Sequence, residues 1–123
     1  MPQRPKILKR QIVAQSRIFR VEGLELQFSN GERRQYERLL GGSRGSVLVV
    51  PMLDDDTVLL IREYSTGSHD YQLGLPKGRI EDGEDPLQAA DREIREEVGY
   101  GASDLRLLRT VSIVPSYIQH QTH

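Results

Sequence analysis

Three glutamates crowd one short run, REIREEVGY, from Arg92 to Tyr100. On a helix, residues three and four apart are neighbours, so Glu93 faces both Glu96 and Glu97. Like charges at that spacing cost about 0.2–0.5 kcal/mol per pair. A solvated face stitched by ion pairs is one answer, since Arg92 can reach Glu96. A divalent cation is another. Magnesium and manganese favour hard carboxylate oxygens and often keep waters for phosphate substrates. The loop just upstream, Lys77 to Glu84, carries Gly78 and Gly83 among acidic residues. Glycine lets a backbone turn tightly and lets its carbonyls or amides approach a ligand. Either glycine alone reads as an ordinary turn.

The spacing of the whole constellation is far more specific than any part. Gly78, five residues, Glu84, seven residues, then Arg92–Tyr100 fill every fixed position of the Nudix box, with Tyr100 at its terminal apolar place. The chain therefore resembles the Nudix hydrolases. The resemblance implies an α/β/α sandwich with a mixed sheet, in which the box forms a loop, a helix and a loop. It implies Mg2+ or Mn2+ as cofactor. Matched position by position, Glu93 and Glu97 are the main metal ligands, and Glu96 is a further ligand, direct or through water. The carbonyl of Gly78, or of Lys77 beside it, completes the set. Glu84 and Arg92 orient the loop and the helix carboxylates. Bound cations neutralise phosphate charge and acidify an attacking water, and a base must take its proton. In some relatives a helix glutamate serves; in others the base lies on a later loop. No acidic residue follows Asp104.

The similarity runs beyond the box, through FSNGERRQYERL (28–39), LLIREY (59–64) and PSY (115–117). It is nearest to the ADP-ribose pyrophosphatase side of the family, which includes the bacterial ADP compounds hydrolases. Pro115 matches a mark of the ADP-ribose type, and Tyr117 one of the diadenosine polyphosphate type. Alone, Pro115 reads as a strand end and Tyr117 as a core ring. Arg62 and Lys77 are candidates for substrate phosphate, because cationic donors suit phosphate oxygens. For Arg62 a surface ion pair with Glu63 is the plainer reading. Relatives often carry an acid leading into the glycine loop, where this chain has Gln72 or Gly74. His69, His120 and His123 are too scattered to suggest a site. The implied reaction is metal-dependent hydrolysis of the pyrophosphate bond in ADP-ribose, diadenosine polyphosphate or NADH, releasing AMP. The alternatives are a Nudix enzyme for other nucleoside triphosphates and a binding module of the same fold without turnover.

Several elements must position these residues. The helix is the clearest. Asp85 caps it, Pro86 takes the first turn, Gln88 completes a capping box and Gly99 stops it. Leu87, Ala90, Ile94 and Val98 form its apolar stripe. SVLVVPML (46–53) reads as a strand covered on both faces. Asp54–Asp56 form a turn, and TVLLIREY (57–64) reads as a strand pairing with the first. YQLGLP (71–76) is a short strand into the glycine loop, and DLRLLRTVSIVP (104–115) another strand. Residues 1–10 read as an arm. Asn30-Gly31 mark a hairpin between Ile18 and Leu40, with Val21, Leu24, Leu26 and Phe28 on one side. The domain expectation is an N-terminal arm and β-hairpin over 1–45 and a Nudix domain over 46–123, short of a strand and a helix at its C-terminus. The resemblance implies that the N-terminal strands exchange across a homodimer.

Bulk properties narrow the field. The chain has 123 residues, 37% hydrophobic and 28% charged, with net charge −1. That balance argues against a polybasic nucleic-acid binder. There is no cysteine, so any metal is held by oxygen or imidazole. No apolar run reaches membrane-span length. The N-terminus lacks the apolar segment of a signal peptide, and a cytoplasmic protein is the expectation.

Overall fold

The computed structural model describes all residues, Met1–His123. In chain order the elements are β1 (Lys6–Gln15), β2 (Arg20–Gln27), β3 (Arg33–Leu40), β4 (Ser46–Leu48), β5 (Ile61–Ser65), β6 (Asp70–Gly74), β7 (Lys77–Arg79), α1 (Pro86–Val98) and β8 (Ile118–Gln119). The residues fall into two compact units, Met1–Gly41 with Ser112–His120, and Gly42–Val111 with Gln121–His123.

The first unit is a mixed sheet in the order β1-β2-β3-β8. β2 and β3 form the hairpin that Asn30-Gly31 foretold, with Gly31 at positive φ and its amide bonded to the Phe28 carbonyl. Their register sets Leu24 opposite Tyr36 and Glu22 opposite Arg38. Leu24 is buried, and so is Glu22, whose carboxylate accepts from Arg38 Nε at 2.8 Å. Two expectations change here. Residues from Lys6 are no arm; they form β1, paired antiparallel with β2 through two register shifts. Val21 does not share a side with Leu24, because side chains alternate along a strand and the two are three residues apart. β8 then joins β3 in parallel, Ile118 beside Leu39.

The second unit holds the helix. Its core is Val47, Val49, Ile80, Ala89, Ala90 and Ile94, with Val98, Ala102 and Leu105 packed against it. β4 pairs with β7, and β5 with β6. The run 46–53 is strand only to Leu48, and it alternates: Val47 and Val49 are buried, Leu48 and Val50 exposed. It is therefore covered on one face, not both. Pro51 has no N–H to extend a ladder. The run 57–64 becomes strand only from Ile61. Its pairing with the earlier run shrinks to one bridge, Met52 to Val58, closed by the aspartate turn in which Asp54 accepts from the Asp56 amide. Residues 104–115 form no strand. They make a single bridge, Val111 to Thr122, and Leu107, Leu108 and Ile113 stay exposed. An apolar run becomes a strand only where a neighbour supplies a ladder, and the residues beside β4 are instead 121–123: Ser46 N bonds Gln121 O, and Leu48 N bonds His123 O, both at 2.9 Å.

α1 begins and ends as its sequence dictates. Asp85 and Gln88 close the reciprocal capping box, Pro86 starts the first turn, and Gly99 ends the helix at φ 77°. Ala90 and Ile94 are buried as the stripe requires. Leu87 is not, and Ala89 and Glu93 are buried in its place. The buried face is thus rotated toward β7.

Candidate active site

Gly78 explains that rotation. Its place on β7 lies against Glu93, and a β-carbon there would collide with the Glu93 carboxylate. Only a residue without a side chain lets the strand and the helix carboxylate meet so closely. Glu93 is 8% exposed, an unusual setting for a carboxylate.

Arg92 secures the arrangement. Its guanidinium bonds both oxygens of Glu84, at 2.6 and 3.0 Å, the Arg79 carbonyl at 2.9 Å and Glu93 Oε1 at 2.8 Å. Glu84 also accepts from the Glu81 amide at 3.0 Å. The loop is thereby tied to the helix through one planar fork. Arg92 holds the Glu84 carboxyl below its ordinary pKa, with the Glu81 amide adding to the effect. Glu96 is further out. Its side chain is 60% exposed and only 3.4 Å contact to Arg92 engages it.

Glu97 behaves differently. Its Oε2 is buried and has no hydrogen-bond partner. Burial pushes its pKa up, the nearby Glu93 charge adds to the rise, and the Lys77 amide opposes it. A buried carboxylate oxygen without a donor is costly unless a cation meets it.

The structure brings Lys77, Gly78, Glu84, Arg92, Glu93, Glu96 and Glu97 together around the β7–α1 junction. The donor chemistry fits a hard divalent cation: carboxylate and carbonyl oxygens, an orphaned buried oxygen and a cradle that a β-carbon would fill. As the side chains stand, no three of them converge on a single point as a finished cage. Arg62 is tied to this cluster by no hydrogen bond or ion pair. It shares one face of the β5–β6 hairpin with Tyr64, Tyr71 and Leu73, while Glu63 lies on the other. Arg62 makes no ion pair with Glu63; Lys77 does, at 3.1 Å. Gln72 and Gly74 lie on β6. Pro115 and Tyr117 belong to the first unit, where Tyr117 is exposed and its carbonyl accepts from the Leu39 amide. His69 is at the β5–β6 tip with positive φ, bonded to the Tyr64 hydroxyl. Sequence reasoning passed over Glu63 except as a partner for Arg62. Alternation along IREY, which separates Glu63 from Arg62, was the signal available.

The NUDIX domain family matches residues 42–123. The chain belongs to the Nudix family. Ahead of its Nudix domain, the NudE-type Nudix hydrolase N-terminal domain matches residues 5–38. The chain is 50% identical over 115 residues to the ADP compounds hydrolase NudE of Escherichia coli (strain K12), covering 94% of this chain and 61% of that enzyme. It is 27% identical over 131 residues to an ADP-sugar pyrophosphatase of Mus musculus, covering 99% of this chain and 60% of that protein. A crystal structure of an ADP compounds hydrolase superposes with a TM-score of 0.90 at 48% identity, covering 99% of this chain and 65% of that one. The fold is thus the Nudix fold. The chain spans about three fifths of the length of these curated relatives. Nudix hydrolases generally need a divalent metal.

Proposed function

We propose that this Nudix chain hydrolyses the pyrophosphate bond of ADP-linked compounds, such as ADP-ribose, diadenosine polyphosphates or NADH, and releases AMP. The observation that carries the reading is the buried, donorless Glu97 oxygen beside Glu93. The similarity to an ADP compounds hydrolase supports the substrate class. Glu93 and Glu97, with Glu96 and the Gly78 carbonyl, are the residues that would hold Mg2+ or Mn2+. When bound, such an ion offsets the phosphate charge and lowers the pKa of a coordinated water.

The chain's own groups have separable tasks. Arg92 fixes the Glu93 carboxylate and, through Glu84, the loop that carries Gly78. Glu96, exposed and lightly held, is the carboxylate free to take a proton from water. Lys77 is exposed beside the glycine loop and suits a substrate phosphate. Arg62, Pro115 and Tyr117 remain candidates for the rest of the nucleotide. The N-terminal strands, residues 1–45, act as a dimerisation element of a cytoplasmic homodimer. The exposed Ile7, Leu8, Ile12 and Val13 of β1 support that role. No helix is long and apolar enough to cross a membrane.

The test is product analysis with Mg2+. ADP-ribose, diadenosine triphosphate, NADH and a panel of nucleoside triphosphates are supplied separately, with Glu97→Gln as control. AMP from the first three, lost in the control, is expected. Turnover confined to triphosphates would move the chain to a different Nudix substrate class. Nucleotide binding without turnover would make it a binding module. Sedimentation at micromolar concentration checks the dimer, and a monomer alone would overturn that part.

A further inference from the structure

Lys77 makes an unexpected choice of partner. It stands one residue before Gly78, next to the buried carboxylates. Arg92 is fully committed to Glu84, Glu93 and the Arg79 carbonyl. Lys77 is therefore the flexible cation of this neighbourhood, a compact ammonium on a long stem. Yet Glu97 Oε2 has no partner, and the ammonium goes to Glu63 Oε2 at 3.1 Å. Both charges are close enough to act on Glu97: Glu63 disfavours its ionised form and Lys77 favours it. Were Glu63 absent, Glu97, whose charge already interacts with Lys77 and whose Oε2 has no donor, would be left as a partner for the ammonium. The placement of Glu63 is not accidental to the strand. β5 is locked against β6 with Glu63 opposite Gln72, and Arg62, Tyr64 and Tyr71 turn to the other face.

We propose that Glu63 is a positioning residue that draws Lys77 aside and keeps the Glu93–Glu97 carboxylates open to a divalent cation. This rests on the reading that those carboxylates hold the metal. A lysine paired with Glu97 would compete with the ion for the same oxygen and repel it. The Lys77–Glu63 pair is exposed, with side chains 60% and 49% accessible, so its removal is tolerated by the fold and its leverage on the metal is that of one surface pair.

The experiment is Mn2+ titration without substrate, read by calorimetry and by electron paramagnetic resonance. The proteins are the parent chain, Glu63→Gln, Lys77→Met, the double variant and Glu97→Gln. Glu63→Gln is expected to weaken Mn2+ binding about two- to five-fold, the scale of one exposed ion pair. Lys77→Met is expected to bind at least as tightly as the parent. Adding Lys77→Met to Glu63→Gln is expected to restore the affinity. An unchanged Glu63→Gln would overturn the inference while leaving the metal site intact. So would a loss that persists in the double variant, since Glu63 would then be a ligand itself. A parent chain that takes up no Mn2+, or a Glu97→Gln that takes it up equally, would overturn the site reading and this inference with it.

Discussion

Glu97, the proposed metal ligand, weakens the metal-free fold that carries it. Its folded pKa is raised, so its contribution to stability is present below the ordinary value of 4.5 and is lost as pH rises through the higher folded value. At neutral pH, with metal chelated, the fold bears a buried carboxylate oxygen with no donor. Glu97→Gln should therefore stabilise the metal-free chain by about 1 kcal/mol, the scale of an unsatisfied buried group. Thermal melting in chelator at pH 7 is the check; an unchanged or lower midpoint would contradict it. Gly78→Ala should act in the opposite sense. The new methyl must evict the Glu93 carboxylate from its place between the strand and Arg92. Mn2+ affinity is expected to drop at least tenfold, with a stability loss of about 1–3 kcal/mol from overpacking. An affinity equal to the parent's would sink this account. Their spacing suggests the chemistry proposed for these residues. What spacing hid was who touches whom. That Gly78 abuts Glu93, and that Lys77 prefers Glu63, depends on how β7 and β5 approach α1, which no local pattern encodes.

Elements were legible in proportion to how local their causes are. The helix was readable to its ends because cap, proline and C-terminal glycine act within a few residues of one another. The hairpin at Asn30-Gly31 was readable for the same reason. The run 104–115 departs from the strand expected of it because strand formation is decided by a distant partner, and here residues 121–123 take the place beside β4. Two acidic side chains now lock the helix to its surroundings. Glu84 holds Arg92 at the front, and Asp91 accepts from the Ala102 amide at 3.0 Å and from Arg95 at 2.9 Å behind. Hydrogen bonding lowers both pKa values, Asp91's chiefly through the Ala102 amide and Glu84's chiefly through Arg92. Their contributions are present above the ordinary values, 3.8 and 4.5, and are lost as pH falls through the lower folded ones. Acid unfolding should therefore begin below about pH 4, and Glu84→Gln should flatten its lower limb. Denaturant midpoints measured from pH 2 to 6 test this, and a parent-like profile in Glu84→Gln would refute it.

At the level of the whole chain, the expected mixed sheet and helix are distributed over two compact units. The second unit keeps an open apolar cleft of about 690 Å³, lined by Leu48, Val50, Leu87, Tyr100, Leu107 and Leu108. Such a surface binds hydrophobic dyes and invites association. Leu108 is almost wholly exposed, so Leu108→Lys should cut dye fluorescence and aggregation with little change in melting. Dye binding undiminished in Leu108→Lys would place the dye elsewhere and overturn this reading. The two units also share an order of assembly. Neither is continuous in sequence: Ser112–His120 complete the first, and Gln121–His123 return to the second. During synthesis the β1–β2–β3 meander leaves the ribosome with its register partners already present and can zip at once. The free edge of β3 must wait for Ile118, and β4 for Gln121–His123. For the time it takes to translate the intervening residues, the nascent chain carries the edges of β3 and β4 without the partners that the finished fold gives them. During that interval those edges are open to pairing with other chains.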